Sequence, residues 1–556
     1  MRQSIAETSC VKATVSRPLI YSGVMVPDTA PRHLAFWPPD MPRGLPPART
    51  TIHAVFFDAA KRAPEKPLLH FQDTTLAYRE AEAQVEALAG YLQQACGVRR
   101  GDRVLLDLQN SDHFVVALFA VLRADAVVVP VSPANLAGEL AHYVADSDAR
   151  VAIAGLETLA HFSGLPLGHV LAAGSAEWNT ALAAERIPTP SVAQPGDLCL
   201  MPYTSGSTGQ PKGCMHTHAT VLHNVTGSVL WKHVTADTVA LATAPFFHVT
   251  GLVHSLLATV LAGGTVVVQQ RWDPAAAAGL VERYRCSHWD NVPTMVVDLL
   301  SHPEAMKRDV SSLKWIFGGG AAMPEAIARK LLDTCGVEYV EGYGMTETIS
   351  QTHMNPPGRP KKQCLGIPAF DTESRIIDPS TLKALPPGES GEIVVRGPQM
   401  LMGYWKKDAA YRESWVEVEG KPFFRTGDLG RMDEDGYYFI SDRLKRMINA
   451  AGLKVWPAEV EAAMYQYPAI KECCIIASPD KRKGETVKAV VVLKSEAAGT
   501  TAEEIIGWMR TRMAAYKVPR KIAFVDALPR TPSGKIQWRT LQEQEFATVK
   551  SAPARK

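Results

Sequence analysis

The chain has 556 residues and a formal net charge of only +2, because 59 Lys and Arg are balanced by 57 Asp and Glu. That balance argues against a nucleic-acid-binding protein with a strongly basic surface. Hydrophobic residues make up 46% of the chain and charged residues 21%, which excludes disorder over most of its length. The length predicts about three to five folding units.

The nine Cys residues are scattered and include no C-x-x-C pair. We therefore expect reduced thiols in a cytoplasmic protein, with neither a disulfide framework nor a zinc site. The first residues lack the apolar core of a signal peptide. Residues 249–270 carry no Asp, Glu, Lys or Arg, but the pair Gly263-Gly264 interrupts them and a β-branched run follows. This segment predicts a buried helix and then a buried strand, not an integral membrane segment.

Strand and helix patterns alternate along most of the chain after a Pro-rich stretch at 1–50, which predicts an extended N-terminal arm. Residues 85–96 and 114–122 have helical spacing, whereas 103–108 and 126–131 are short apolar runs typical of buried strands. This alternation predicts an α/β protein whose large N-terminal domain consists of layered α/β subdomains with largely parallel sheets.

The pattern changes near residue 366, where short strands and turns replace the helical runs. We expect an N-terminal domain over 51–442 that includes a small β-rich subdomain at about 366–442. Mixed helix and strand patterns return over 443–556 and predict a small, mobile α+β C-terminal domain.

The strongest local pattern is YTSGSTGQPKG, which follows a predicted buried strand at 198–202. Such a loop can turn backbone N–H groups and hydroxyls toward phosphate oxygens, and Lys212 can add a positive charge. A flexible linker would not need a Lys after Pro, and the Walker A pattern requires Ser or Thr where this chain has Gly213. The residues predicted to bind phosphate are Thr204, Ser205, Gly206, Ser207, Thr208, Gly209 and Lys212.

This loop closely resembles the phosphate loop of the adenylate-forming superfamily, which contains acyl- and aryl-CoA synthetases, luciferases and nonribosomal-peptide adenylation domains. Further blocks follow in the family's order over nearly the whole chain. They are GGGAA at 318–322, EGYGMTET at 341–348, FRTGDLG at 424–430, DRLKRMINAAGLKVWPAEVE at 442–461 and LPRTPSGKIQWR at 528–539. The order of these blocks makes the resemblance specific.

The resemblance implies a nucleotide site built from the middle blocks. Thr346 would contact phosphate, and Glu347 would hold Mg²⁺, which prefers hard carboxylate oxygens. The carboxylate of Asp428 would accept hydrogen bonds from both ribose hydroxyls. The residues that the resemblance assigns to the adenine and its surroundings are Gly320, Ala321, Ala322, Glu341, Gly342 and Tyr343, with Tyr343 stacked on the base.

The last two blocks resemble the mobile part of the family. Arg443 would contact ribose or phosphate, and Lys445 falls at the hinge about which the C-terminal domain turns, although many relatives have Asp there. Gly452 would line the pantetheine tunnel. Lys535 matches the catalytic Lys, which would neutralise charge at the reacting phosphorus. Acetylation of Lys535, which would remove that charge, and a homodimer are hypotheses.

The implied reaction uses ATP, Mg²⁺ and CoA. A carboxylate attacks the α-phosphorus of ATP and gives acyl-AMP and pyrophosphate; CoA then takes the acyl group and AMP leaves. We expect the acid pocket to be built from 247–251, 288–295, 318–320 and 345–351. By the resemblance, His248 would gate this pocket or orient the carboxylate.

The pocket segments also bear on the identity of the acid. They contain no Arg or Lys to pair a second carboxylate, which argues against dicarboxylates, and Asp290 is the nearest candidate partner for an α-amine. The run of Gly at 318–320 predicts an open channel, and the blocks are closest to bacterial fatty-acid–CoA ligases. A medium- or long-chain fatty acid is therefore favoured, with an aryl acid, or an acceptor other than CoA, as the alternative.

The two half-reactions predict separable effects of one substitution. Lys535→Ala should abolish acyl-AMP formation, because no other cation of the last block is assigned to the reacting phosphorus, but it should spare thioester formation from supplied acyl-AMP. Pyrophosphate release and acyl-CoA formation measure the two halves separately. Equal loss of both would contradict the prediction.

Overall fold

The computed structural model describes residues 31–184, 186–204, 211–443, 446, 448–450, 453–455, 457–480, 484–497, 499–530 and 536–551. Within these residues the strands form four sheets, two of which are large and mainly parallel. The helices lie between the strands along the chain. They are α1 (Ile52–Arg62), α2 (Tyr78–Gln94), α3 (Asp112–Arg123), α4 (Ala137–Ser147), α5 (Ala176–Ala183), α6 (His218–Trp231), α7 (Ala258–Ala262), α8 (Pro274–Tyr284), α9 (Pro293–Ser301), α10 (Glu325–Cys335), α11 (Asp408–Glu413), α12 (Pro457–Met464), α13 (Ala502–Arg510) and α14 (Trp538–Ser551).

The first large sheet has nine strands among the described residues. They are β1 (Pro67–Phe71), β2 (Thr74–Ala77), β10 (Val239–Ala242), β11 (Thr265–Val268), β12 (His288–Asn291), β13 (Trp315–Gly319), β14 (Tyr339–Met345), β15 (Ser350–Met354) and β16 (Ile367–Pro368), and their order in the sheet is β16-β15-β14-β13-β12-β10-β11-β1-β2. The central strands are parallel and buried on both faces, as their apolar runs predict.

The second large sheet has eight strands in the described part of the chain. They are β3 (Arg103–Asp107), β4 (Val127–Pro130), β5 (Val151–Ala154), β6 (His169–Ala172), β7 (Leu198–Leu200), β8 (Tyr203–Thr204), β9 (Lys212–Thr217) and β19 (Gly403–Tyr404). The path through the sheet is β19-β9-β7-β4-β3-β5-β6, and β8 pairs with β9. Its last strand in sequence, β19, comes from much further along the chain than its partner β9.

Two smaller sheets follow. Strands β17 (Glu373–Ile377), β18 (Ser390–Arg396), β20 (Trp415–Val418), β21 (Lys421–Met432) and β22 (Tyr438–Arg443) form an antiparallel sheet. Strands β23 (Ile448–Ala450), β24 (Leu453–Val455), β25 (Ile470–Asp480), β26 (Gly484–Leu493) and β27 (Lys521–Phe524) form the C-terminal sheet. The mixed α/β class, with a large N-terminal and a small C-terminal domain, is thus confirmed.

The long uncharged segment at 249–270 is buried, as the sequence predicted. Its first part, Gly251–Leu257, is a π-helix that continues directly into α7, and Gly263 ends that helix with a positive φ of 76°. The strand β11 follows and is buried along its whole length. No helix among the described residues is both long enough and apolar enough to cross a bilayer.

The described part of the N-terminal arm packs against the large domain through aromatic side chains. The ring of Trp37 meets Trp231 at the end of α6 edge-on at 4.9 Å and Phe370 at 5.2 Å. Arg32 forms an ion pair of 2.7 Å with Glu434. Residues 31–50 form little regular structure beyond one short 3-10 turn, Arg32–Ala35, as their Pro content predicted.

A buried ion pair joins α6 to the first large sheet. Lys232, the residue after α6, contacts the Asp290 carboxylate on β12, and both side chains are almost fully enclosed. Burial lowers the pKa of Lys232, and the adjacent Asp290 acts against that shift. Breaking such a pair leaves one charge buried without its counterion.

This pair predicts a stability effect that depends on which partner is removed. Lys232→Met should lower the free energy of unfolding by about 3–5 kcal/mol, because the Asp290 charge is stranded. The double variant Lys232→Met with Asp290→Leu should recover most of that loss. Denaturant unfolding of the wild type and both variants measures the difference. A double variant no more stable than the single one would contradict the account.

Candidate nucleotide and acid site

A hairpin brackets the predicted phosphate loop. Its strands β8 and β9 pair Thr204 with Lys212 and Tyr203 with Gly213. The intervening residues that the sequence assigned to phosphate, Ser205, Gly206, Ser207, Thr208 and Gly209, lie outside the described residues, so their role stays a prediction.

Helix α4 holds both ends of this hairpin loop. The Tyr203 hydroxyl donates a hydrogen bond of 2.8 Å to Asp146, and the His142 ring lies 3.2 Å from the Pro211 carbonyl oxygen. Burial and the Asp146 carboxylate raise the pKa of Tyr203, so its hydroxyl stays a donor at neutral pH. The ends of the loop are therefore fixed relative to the second large sheet.

The structure brings Lys212 and Glu347 together around one side chain that sequence reasoning missed. The ammonium of Lys212 lies 4.4 Å from the centre of the Tyr404 ring, and the Tyr404 hydroxyl donates a hydrogen bond of 2.9 Å to the Glu347 carboxylate. Two predicted site residues from distant motifs thus share a neighbour. Tyr404 follows Gly403 in a two-residue strand and carries no motif that would have singled it out.

Backbone contacts fix the Thr346–Glu347 pair. The ring of His216 on β9 donates a hydrogen bond of 2.8 Å to the Thr346 carbonyl, and the Leu401 N–H donates one of 2.8 Å to the Glu347 carbonyl. The Glu347 side chain is 7% exposed. Both residues are therefore held against the second large sheet, although they follow a strand of the first.

The turn after Glu347 has strained backbone. Ile349 has a φ of 45° and Ser350 a φ of 115°, which β-branched and other non-Gly residues rarely adopt. The side-chain amide of Asn224 on α6 donates hydrogen bonds of 3.0 Å to the carbonyls of Thr348 and Gln351, on either side of this pair. The buried amide thus offsets the strain and holds the turn.

The Gly run at 318–320 is explained by close packing and not by an open channel. A Cβ on Gly318 would lie 1.8 Å from the Tyr339 hydroxyl, and one on Gly319 would lie 2.6 Å from the Gly342 carbonyl oxygen. The interpretation that these glycines leave room for a long tail is therefore wrong at Gly318. Gly320 has a φ of 82°, which suits Gly, and starts an exposed turn that includes Ala321 and Ala322.

Tyr343 and Asp428 meet across two motifs. The Tyr343 hydroxyl donates a hydrogen bond of 2.5 Å to the Asp428 carboxylate, which is 1% exposed. Asp428 lies on β21 and pairs through its backbone with Arg443 on β22. The side chain of Arg443 lies outside the described residues. A stacking ring and a carboxylate are adjacent here, and the adenine and ribose roles stay predictions.

Glu341 lies behind the exposed turn. Its carboxylate accepts a hydrogen bond of 2.8 Å from the Met323 N–H, so the side chain braces the end of the turn that contains Ala321 and Ala322. Burial raises the pKa of Glu341 to about 7. Its predicted contact with the nucleotide stays untested, whereas its contact with the turn is direct.

Three buried polar side chains, Ser228, His254 and Ser350, form a hydrogen-bonded cluster next to the predicted acid pocket, and we call this cluster the polar wall. His254 of the π-helix lies 2.9 Å from the Ser228 hydroxyl and 2.7 Å from the Ser350 hydroxyl. Asn224 and Ser228 of α6 and Lys232, the residue after it, are spaced four residues apart and are all buried, so they follow one face of the helix to its end. Sequence reasoning missed this stripe, because α6 also carries His218, Thr220, His223 and Thr226, so the spacing of four residues does not stand out.

Two expectations about the pocket change as a result. Lys232 reaches Asp290 from outside the predicted pocket segments, so this region does contain a buried cation. Asp290 is engaged by that cation, which weighs against its pairing with an α-amine. His248 is half-buried, and its ring nitrogen accepts a hydrogen bond of 3.3 Å from the Thr250 N–H, while its gating role stays a prediction.

Three predicted residues of the C-terminal part, Lys445, Gly452 and Lys535, lie outside the described residues. Over the part of the chain that is described, no group of three or more His, Cys, Asp or Glu could hold a metal ion. Glu347 offers one buried carboxylate, which fits Mg²⁺, since this ion usually binds through one or two carboxylates together with phosphate oxygens of a substrate.

Glu341 predicts a pH-dependent stability. Its pKa is raised to about 7, so between about pH 4.5 and 7 the folded protein binds more protons than the unfolded chain, and stability falls as pH rises through this window. Glu341→Gln keeps an oxygen for the Met323 N–H but cannot ionise. The melting temperature of the variant relative to the wild type should therefore rise between about pH 5 and 8. A difference that is constant with pH would refute this.

The geometry agrees with comparisons to known proteins. Residues 56–405 match the family model "AMP-binding enzyme", and residues 459–535 match "AMP-binding enzyme C-terminal domain". The feruloyl-CoA synthase of an Amycolatopsis species is 38% identical over 86% of this chain and 95% of its own length. The long-chain-fatty-acid–CoA ligase of Bacillus subtilis is 32% identical over 92% of this chain and 98% of its own.

Solved structures show the same architecture. ATP-bound MatB from Rhodopseudomonas palustris superimposes with a TM-score of 0.83 at 28% identity, covering 89% of this chain and 99% of that one. The anthranilate CoA ligase AuaEII, in complex with anthranoyl-AMP, superimposes with a TM-score of 0.82 at 26% identity, covering 92% and 99%. From its fold, its motifs and these matches, the chain belongs to the family of AMP-binding enzymes.

Proposed function

We propose that the acid activated by this chain is an aromatic carboxylic acid of the hydroxycinnamate type. The reaction is that of an AMP-forming acid–CoA ligase, in which the acid is joined to AMP and then transferred to CoA. ATP, Mg²⁺ and CoA are its co-reactants. The proposal concerns which acid enters and which residues act on it.

The observation that carries the choice of acid is the polar wall of the predicted pocket. The His254 ring hydrogen-bonds the hydroxyls of Ser228 and Ser350 there, and Lys232, the residue after α6, is buried against Asp290. A long alkyl tail offers this network no hydrogen bond. A ring bearing hydroxyl or methoxy oxygens can instead take part in such a network.

A relative supports the same choice. The Amycolatopsis feruloyl-CoA synthase is more similar in sequence to this chain than the B. subtilis fatty-acid ligase is, at 38% against 32% identity. Ferulate carries one hydroxyl and one methoxy group on its ring. The structure of AuaEII also covers 92% of this chain, and that protein is described as a ligase for anthranilate, which is an aromatic acid.

The roles proposed for individual residues rest on the motifs that contain them and, for Lys212, Glu347, Tyr343 and Asp428, on the contacts described above. Lys212 contributes positive charge to the phosphates, and Glu347 is the carboxylate that would hold Mg²⁺, which would neutralise phosphate charge when bound. Tyr343 and Asp428 take the base and ribose. Lys535 neutralises charge at the reacting phosphorus. We also propose that residues 443–556 turn as a unit about Lys445 between the two half-reactions.

The second candidate acid is a medium- or long-chain fatty acid. It is the preference that the sequence favoured, and the 32% identical B. subtilis ligase supports it. The packing of Tyr339 against Gly318 weighs against it, because that space is filled by a side chain.

A screen of acids tests the choice directly. Pyrophosphate release with ATP and CoA is measured for ferulate, unsubstituted cinnamate, decanoate, hexadecanoate and malonate. Ferulate should have the highest kcat/KM, about tenfold above either fatty acid, because the polar wall discriminates by at least one hydrogen bond. A fatty acid with the higher kcat/KM would overturn the proposal. Activity with none of the acids would overturn it too, because ferulate would then not be a substrate.

A variant links the preference to the wall. His254→Leu should lower kcat/KM for ferulate more than for decanoate, since only ferulate presents polar groups to the wall. His53→Leu is the matched control, because His53 is also a buried His but contacts Thr51 and Ser191 instead. If His254→Leu lowers kcat/KM equally for ferulate and decanoate, His254 does not contribute to the choice of acid.

A further inference from the structure

Tyr404 has contacts that no motif predicts. Its ring lies under the Lys212 ammonium at 4.4 Å and its hydroxyl bonds the Glu347 carboxylate at 2.9 Å. Tyr404 is 3% exposed as a residue, so both contacts are made in a region from which water is largely excluded. One side chain therefore touches both the residue proposed for phosphate and the residue proposed for the metal.

The backbone around Tyr404 is tied to both partners. Tyr404 pairs with Cys214 across β19 and β9, two residues after Lys212, and the Trp405 N–H donates a hydrogen bond of 2.9 Å to the Gly213 carbonyl. On the other side, Leu401 bonds the backbone of Glu347. The Trp405 indole N–H donates to the Asp146 carbonyl on α4, the helix that also holds the loop ends. Tyr404 is therefore held rigidly between the two groups.

We propose that Tyr404 is a positioning residue that aims the Glu347 carboxylate at nucleotide-bound Mg²⁺ and holds the Lys212 ammonium ready for the phosphates. The proposal rests on the roles given above to Lys212 and Glu347. The hydroxyl fixes one carboxylate oxygen and so limits the orientations of the whole group. The ring attracts the ammonium through its electron-rich face without supplying a counter-charge, so the full positive charge remains for phosphate.

The two functions reside in different parts of the side chain, since the ring contacts Lys212 and the hydroxyl contacts Glu347, so substitution can separate them.

The test is binding of ATP in the absence of any acid, measured by calorimetry with Mg²⁺ and again with a chelator in its place. Tyr404→Phe keeps the ring and removes the hydroxyl, so binding of Mg·ATP should weaken about tenfold while metal-free ATP binds as in the wild type. Tyr404→Leu removes both groups and should weaken binding under both conditions. Tyr411→Phe, whose ring packs edge-on against Tyr404 at 6.4 Å, is the matched control and should bind as the wild type.

The outcomes discriminate. The role of the hydroxyl is overturned if Tyr404→Phe binds Mg·ATP as tightly as the wild type. This conclusion requires that Glu347→Gln loses the effect of Mg²⁺, which is the difference in ATP affinity with and without the ion. If Glu347→Gln keeps that effect, the metal role proposed for Glu347 has failed instead, and the inference fails with it. Equal losses by Tyr404→Phe with and without Mg²⁺ overturn the separation of ring and hydroxyl. Melting temperatures identify a variant that fails to fold. If Tyr404→Leu does not fold, the result for Tyr404→Phe, which keeps the packing of the ring, decides the role of the hydroxyl.

Discussion

The candidate site depends on the pairing of β9 with β19. Strand β9 begins at Lys212, directly after the predicted phosphate loop, and one of its residues, His216, holds the backbone of Thr346. Strand β19 lies almost two hundred residues further along the chain, and its pairing with β9 brings Tyr404 next to Cys214. Without this pairing, Tyr404 would not stand between Lys212 and Glu347, and the contact of His216 with Thr346 would remain as a link between the two regions. The pairing thus makes one site from two sheets.

A second constraint acts from the opposite side. The buried face of α6 presents Asn224, Ser228 and Lys232 toward the strained turn, the π-helix and β12. Burying polar groups is unfavourable unless they find partners, and the Asn224 amide nitrogen, the Ser228 hydroxyl and the Lys232 ammonium each have one. The same helix therefore holds the backbone next to Glu347 at one end and supplies the polar wall of the predicted acid pocket at the other. The helix α6 therefore supports both the turn next to Glu347 and the polar wall beside the predicted acid pocket.

Much of this arrangement could be predicted from the sequence, and the remainder could not for physical reasons. Apolar runs and helical spacing are local, so the alternation at 85–131 and the buried segment at 249–270 were predicted correctly. Lys212, Glu347 and Asp428 stood out because each lies in a recognisable block. Tyr404, Asn224 and Lys232 act through contacts with residues 57 to 192 positions away, which no local pattern encodes. Gly318 was misinterpreted because a Gly run looks alike whether it opens space or admits a neighbouring hydroxyl.

The charge balance acquires a structural explanation from these contacts. A protein with a net charge of +2 binds a strongly anionic nucleotide, so attraction by the whole surface contributes little. Lys212, which follows the predicted phosphate loop, rests on the Tyr404 ring, and the Glu347 carboxylate accepts a hydrogen bond from the hydroxyl of the same side chain. Direct pairing of the two would cancel the charge that each needs for its own partner. Tyr404 lies between Lys212 and Glu347 and contacts both, so the two charged groups stay close without pairing. A charged side chain at this position would instead neutralise one of them.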